Sequence, residues 1–494
     1  MSTGVETPAR RAAAPPAAPA ARPGVARPEL WALAALTVLG AALRFSTLDL
    51  QSFWHDEAVT VGRVLEPSLF ATLGHVPGSE ATPPLYYALA WAWTKLFGHG
   101  EVGIRSLSAL LGTATVPVVW WAGRTLISSA TGLGAAALTA TSSYMVWYSQ
   151  EARAYVLLVL LCAVSLALFG EALRRREARW LWWWGAASAL ALLTHYFAVF
   201  VVAPELALLV WLLPERRRAV LGAGAAVGAV GVALIPLAVH QANQGHDRWI
   251  AKIPLGTRLK DTGQQFVLGY SGSPSRALSV LAALLVAAAA ALAVWRAREL
   301  GRWWLVAAIA AAALAAPLLA KVVGIDYLFP RNLIEAWVPL VVALGAAATV
   351  PRVGPLAIAA LCATFVALTI AVDVDTKLQR ADWRAAAHAI GPATQPRAVI
   401  VPAVGDDPLS YYLPHASRLA HGGARVAEID ALGFSAARRS HGGVPAGFAP
   451  AGRRRVGAFT LVRYAAARPR ALTRSELAAA RLGVGHAAVV VERP

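Results

Sequence analysis

Apolar windows of about 17 to 22 residues recur through the first three-quarters of the chain, bounded by short arginine clusters or by polar and aromatic residues. That length matches the roughly 30 Å hydrocarbon core a helix must cross. Inside lipid each segment has to satisfy its own backbone groups, which leaves helices as the form for such windows. Composition agrees: 57% of the 494 residues are hydrophobic, 15% are charged and the mean hydropathy is +0.54, outside the range of soluble globular domains. The formal charge of +18 is scattered into short loops between the apolar windows, which fits membrane topology better than a nucleic-acid partner. Cys162 and Cys362 fall within apolar windows and read as packing residues rather than a disulfide or metal pair.

Positive residues in short loops set orientation, the basic side staying inside. Arg10, Arg11, Arg22 and Arg27 precede the first window. Arg124, the triplet 174–176 with Arg179, the triplet 216–218, the segment Arg296 to Arg302 and Arg352 mark later loops. Keeping all of these inside predicts spans near 30–46, 103–123, 131–147, 153–171, 180–195, 197–213, 219–239, 277–295, 302–320, 333–350 and 354–372. The N-terminus is then inside and the C-terminus outside. Segment 83–98, PPLYYALAWAWTKLFG, is apolar enough to span, but a crossing there would invert every later loop. It is expected in the outer interface, with Tyr86, Trp91 and Trp93 at headgroup depth.

The expected fold is therefore an α-helical polytopic membrane protein of about eleven spans with a small C-terminal extracytoplasmic α/β domain. Residues 1–28, rich in Ala, Pro and Arg, read as a disordered cytoplasmic tail, and the first span as a retained anchor. Residues 29–372 form the membrane domain. Residues 373–494 form the α/β domain, with helices over 382–390 and 475–482 and strands over 398–403, 456–464 and 487–492. The site is expected on the outer face of the plasma membrane.

Polar clusters punctuate the spans on that face: WHDEA at 54–58, YSQEARAY at 148–155, THYF at 194–197 and DYLFPRN at 326–332. Ionisable residues at the ends of spans are costly to desolvate and mark a site. An acidic pair, several arginines and a greasy setting suit sugar transfer from a polyprenyl-phosphate donor to an unidentified acceptor hydroxyl. A carboxylate takes the acceptor proton, and phosphate leaves without needing a general acid. Guanidinium groups stabilise the charge that develops on it. Asp56 or Glu57 is the base. Neighbouring residues point in different directions, and the reading favours Asp56, with Glu57 holding its neighbours. Arg105, Arg153 and Arg331 are the candidates for the donor phosphate, with lipid headgroup binding or snorkelling as the alternative for each. Tyr148, Glu151 and Tyr155 would share a stripe if their segment were helical. With Gln150, His195, Tyr196, Pro83 and Tyr327 they complete the candidate substrate site. Glu205 and Glu335 lie within spans and are expected to find partners in the bundle. No cofactor is expected. A divalent metal on His55, Asp56, Glu57 and His195 is the minor alternative, because the spacing matches no standard ligand motif.

Taken in order, these segments resemble the GT-C glycosyltransferases, in particular a bacterial branch similar to protein O-mannosyltransferases and lipid A aminoarabinose transferases. In that resemblance WHDEA matches the acidic motif of the first outer loop, which gives Asp56 and Glu57 the catalytic role. Pro83, Pro84, Leu85 and Arg105 match a PPL-type segment followed by an arginine at the start of the next span. DYLFPRN is similar to a late-loop RYL-x-P motif, with Asp326 in place of the leading arginine and a basic residue at Arg331 instead. The resemblance covers roughly residues 30–372 and implies an inverting transfer, commonly of mannose or a similar hexose. The alternatives are a lipid-linked glycan exporter, which should carry polar residues at the midplane, and a ligase moving a whole glycan.

Overall fold

The computed structural model describes residues 25–246, 248–413, 415–435, 443–483 and 486–494. Most of the predicted tail, 1–28, lies outside the described residues. Eight helices among them are long and apolar enough to cross a membrane: Arg27–Phe45, Glu101–Leu126, Tyr155–Arg175, Pro214–Gln244, Arg276–Arg296, Trp303–Val322, Pro330–Thr349 and Val353–Val374. The other three expected spans are helical but shorter. Ala178–Thr194 has 17 residues, and Tyr196–Leu212 is a shorter apolar helix. The window 131–147 is broken into Ser129–Thr141 and Ser143–Ser149, because the Ser142 side chain accepts from the Met145 N–H and starts a new helix. Such a cap competes with helix continuation.

Small residues draw these helices together. A Cβ on Gly123 would lie 2.9 Å from Gly132 Cα, and one on Gly134 would lie 2.8 Å from the Gly345 carbonyl oxygen. With little hydrophobic drive between helices in lipid, close backbone approach of this kind supplies the packing. Arg44 is fully buried at one such contact and donates to the carbonyls of Gly40, Ala140 and Thr139 and to Ser149 Oγ. Two of those carbonyls are end groups of Ser129–Thr141, left without partners inside their helix.

Between the first two spans lie three short helices, His55–Val64, Leu69–Ser79 and Leu85–Phe97. The last begins after Pro83–Pro84 and has 13 residues, so it is about 20 Å long and too short for the hydrocarbon core. Phe53, Val61, Tyr86, Tyr87 and Ile104 close a separate apolar cluster around them.

Beyond Val374 the chain forms a six-stranded sheet: β1 (Arg397–Pro402), β2 (Ala416–Arg418), β3 (Gly423–Phe434), β4 (Ala449–Val456), β5 (Phe459–Thr473) and β6 (Ala487–Glu492), in the order β2-β6-β1-β3-β5-β4. Only β1 and β3 are parallel; the other pairs are antiparallel. Apolar clusters lie on both faces, one around Trp383, Val399 and Phe459, the other around Ile400, Ile429 and Leu477. The expected single strand 456–464 is instead a hairpin. Val456 pairs with Phe459 across a turn that holds Gly457 at φ 53°, a conformation that favours glycine. The strand over 423–434 was not expected. Its buried Asp430 is masked by ion pairs with Arg397 and Arg463, and an acid in its middle breaks the apolar signal of a strand.

Candidate active site

Four stretches far apart in sequence meet at one end of the bundle. Helix His55–Val64 carries Asp56 and Glu57 in its first turn, where an acid suits the helix dipole. The turn between Ser143–Ser149 and Tyr155–Arg175 supplies Glu151 and Arg153, and Pro330–Ala336 supplies Arg331. The segment after the last span supplies Arg380.

Arg331 Nη1 donates to Asp56 Oδ2 at 2.8 Å, both side chains remaining partly open at 19% exposure. Arg153 Nη1 donates to the Asp56 backbone carbonyl, to Thr60 Oγ1 and to Glu80 at 2.9 Å. The Arg331 guanidinium sits among the rings of Trp54, Trp249 and Phe329 at 5.5 to 5.9 Å from their centroids, a cation–π setting that holds a charge without consuming its N–H donors. Arg380 pairs with Glu151, lies 3.7 Å from Glu57 and is flanked by Trp54, Trp147 and Tyr270.

Glu57 and Arg105 form a different kind of unit. Arg105 donates from Nε and Nη2 to the two Glu57 oxygens at 2.8 and 2.6 Å, and to the carbonyls of Leu48, Gln51 and Ser52. A guanidinium has five N–H donors, and all five are engaged. The Ala152 N–H also donates to Glu57 at 2.9 Å. Both side chains are buried. Arg105 therefore sets the shape of the loop 48–52 and offers nothing to a donor phosphate, which corrects the expectation from sequence. Glu57, enclosed in the same way, is a brace and has no free face for an acceptor.

Burial alone would push both carboxyls up. For Asp56 the charges of Arg331, Arg153, His55 and Arg380 outweigh it. For Glu57 the charge and hydrogen bonds of Arg105 do so, aided by Arg380 and the Ala152 N–H. Both carboxyls are held below their usual range. Glu151 goes the other way. Burial pushes it up, Arg380 opposes, and the nearby charges of Glu57 and Asp56 add to the rise, so its carboxyl titrates at about 7.

The remaining candidates lie around this cluster, most of them engaged with the surrounding frame. Tyr148 and Tyr155 do not share a helical stripe, because the segment turns at 150–154, yet their rings meet edge to face at 5.3 Å. Gln150 is a frame residue whose Nε2 donates to the carbonyls of Leu43 and Arg44 and to Thr47 Oγ1. His195 is buried, its Nδ1 accepting from the Phe197 N–H. Tyr196 donates to Gln241, which in turn donates to the Val76 and Thr82 carbonyls. Pro83 is buried at the entry to helix Leu85–Phe97. Tyr327 packs its ring 5.8 Å from Phe197, and Asp326 beside it pairs with Arg258 and Lys321. Glu205 does find partners, Ser165 and Trp184. Glu335 finds no side-chain partner among the described residues.

The metal set of His55, Asp56, Glu57 and His195 is not assembled. Among the described residues His55 gathers with Asp406 and Asp407 rather than with Asp56, Glu57 and His195. Sequence reasoning also missed Glu80, Trp54, Trp147, Tyr270 and above all Arg380. The available signal was a basic residue just past the last span, ahead of the amphipathic helix Trp383–Ile390.

Residues 81–241 match the model of the dolichyl-phosphate-mannose-protein mannosyltransferase family. Among solved structures, ArnT from Cupriavidus metallidurans in the apo state is similar at a TM-score of 0.53 and 14% identity, over 79% of this chain and 85% of that one. The oligosaccharyltransferase AglB from Archaeoglobus fulgidus, solved with an inhibitory peptide and a dolichol-phosphate, gives 0.48 and 13%, over 73% of this chain. The matched region spans 57% of that enzyme's length. No curated protein matches by sequence.

Proposed function

We propose that the chain is a membrane glycosyltransferase of the GT-C superfamily and that it transfers one sugar from a polyprenyl-phosphate donor to an acceptor hydroxyl. The site would face the outer side of the plasma membrane, and the anomeric centre would invert. The observation that carries this is the partly open Asp56 carboxylate, paired at 2.8 Å with an arginine whose charge sits in an aromatic frame.

In the proposed step the acceptor oxygen forms a bond to the anomeric carbon while the bond to the phosphate oxygen breaks. The acceptor proton passes to Asp56, and the electron pair leaves with the lipid phosphate. Arg331 is the guanidinium best placed to receive that charge, since one of its N–H groups is on Asp56 and its flanks are aromatic rather than hydrogen-bonded. Arg153, fixed by Glu80, adds positive charge beside it, and Arg380 adds more from its place over the same Trp54 ring. Glu57 and Arg105 hold the loop in place, and Tyr148 and Tyr155 line the sugar side. Because the proton has one acceptor and the leaving group needs none, the displacement is written without a metal. A single displacement of this kind predicts inversion. Mannose or a similar hexose is the proposed cargo, supported by the family model that residues 81–241 match.

The test is to incubate membranes containing the protein with radiolabelled polyprenyl-phosphate mannose, glucose and aminoarabinose and follow the label. Transfer that depends on Asp56 to a hydroxyl-bearing acceptor supports the reading. Label that stays on the lipid with every donor, under conditions where the protein is folded, refutes it.

A further inference from the structure

We infer that the protein carries a divalent-cation site of the zinc class on His55, Asp406 and Asp407, which fastens the C-terminal domain to the helix bearing Asp56. His55 is the first residue of His55–Val64, and Asp406 and Asp407 open the short helix Asp406–Tyr412 of the sheet domain. One candidate ligand atom from each of the three lies within 4.8 Å of the others. Ligands about 2.1 Å from a shared tetrahedral zinc stand roughly 3.4 Å apart, so side-chain movements of at most about 1.4 Å close the site.

Unmet polar atoms provide the second, independent observation. Asp406 is only 2% exposed, yet neither of its carboxylate oxygens has a hydrogen-bond partner, and neither does the buried Nδ1 of His55. Two contacts bear on this. His55 Nδ1 lies 3.2 Å from Asp407 Oδ2, and Arg418 Nε lies 3.0 Å from Asp406 Oδ2, both without hydrogen-bond geometry. The Arg418 side chain is 63% exposed, so it covers one edge of Asp406 and leaves Oδ1 bare. A buried carboxylate without hydrogen bonds is expensive, and the His55 Nδ1 beside it has no hydrogen bond either. A cation bound to one nitrogen and two oxygens satisfies all three at once. Nitrogen with carboxylate oxygen suits zinc, and three protein ligands leave a position for water.

The site is separate from the reacting atoms. It lies one residue from Asp56 but uses no group assigned to the proton or the phosphate. Its effect would be positional: the sheet domain would be clamped to the turn that presents Asp56.

The experiment uses the full-length protein in detergent, loaded with zinc chloride, desalted and measured by plasma mass spectrometry. About one zinc per chain is expected in the wild type, and little in the Asp406→Asn/Asp407→Asn variant. Zinc should raise the wild-type Tm, with the rise reversed by chelator and absent in the variant. Should that variant fail to fold, Arg418→Ala keeps all three ligands while removing the competing cation, and it should hold zinc at least as well as the wild type. Wild-type protein that retains no zinc and shows no zinc-dependent Tm overturns the assignment, and so does an Arg418→Ala variant that loses zinc. Because these readouts do not depend on sugar transfer, the clamp and the proposed function fail separately.

Discussion

Replacing Asp56 by Asn and Glu57 by Gln should give opposite signatures although the residues are adjacent. Asp56 is partly open and has one ion-pair partner, Arg331. Asn keeps its shape but cannot take the acceptor proton, and general-base assistance is worth about 10²- to 10⁴-fold, so kcat should fall by that factor. Losing the carboxylate also leaves Arg331 unneutralised, so the donor KM should stay level or drop. Folding should suffer less than with Glu57→Gln, since both side chains of this pair keep 19% exposure and the freed Arg331 keeps its aromatic neighbours. Glu57 is sealed, accepts three hydrogen bonds and neutralises a buried guanidinium. Breaking such a pair by removing one charge costs about 3–5 kcal/mol, and a Gln amide would turn an N–H against Arg105. Yield and thermal stability should therefore fall with Glu57→Gln, along with activity. Single-turnover transfer from labelled donor in nanodiscs, with thermal melting alongside, separates the two. If Asp56→Asn keeps kcat within about fivefold, or raises donor KM as steeply as kcat falls, the assignment of base and phosphate partner is wrong.

Three further outcomes are expected. Arg380→Ala should raise the donor KM by about tenfold or more with a smaller change in kcat, because it removes a desolvated positive charge from the wall of the site; equal donor saturation curves for variant and wild type would reject that role. A sugar phosphodiester keeps one negative charge over the whole range, whereas Glu151 gains one near pH 7, so donor affinity should weaken as pH rises through 7 and Glu151→Gln should flatten that profile by holding the neutral state. A topology reporter fused after Gly98 should read the outer side, since helix Leu85–Phe97 is too short to cross; a cytoplasmic reading would require a span there.

Much of the membrane domain was legible because lipid imposes one length and one polarity on every crossing, so apolar windows alone located the helices. The breaks were less visible. Ser142 ends a helix through its side chain, and Ser and Thr occur within spans too often for one of them to announce a boundary. Asp56, Arg153 and Arg331 stood out because charges at the rim of a span are rare. Whether such a charge faces substrate or frame is not written in its position, and Arg105 illustrates this, its five donors consumed by a loop 53 to 57 residues away and by Glu57. Arg380 was hidden for a third reason. It lies in a stretch whose composition resembles an ordinary soluble domain, and only the folded chain brings it back over the turn at Glu151.

The return of that stretch limits how modular the protein can be. The Arg380 N–H donates to Gln51 Oε1, Ser52 Oγ accepts from the Trp383 N–H, and Arg384 reaches Glu101 and the Asp49 carbonyl. Tyr412 completes the seam by donating to Glu101 while its hydroxyl oxygen accepts from the Phe53 N–H. A shortened protein ending at the last transmembrane helix would lose Arg380 from beside Glu57 and Glu151, and a chimera with a foreign tail domain would need residues 380–384 grafted along with it. The sheet domain is thus built into the proposed site rather than hung beside it.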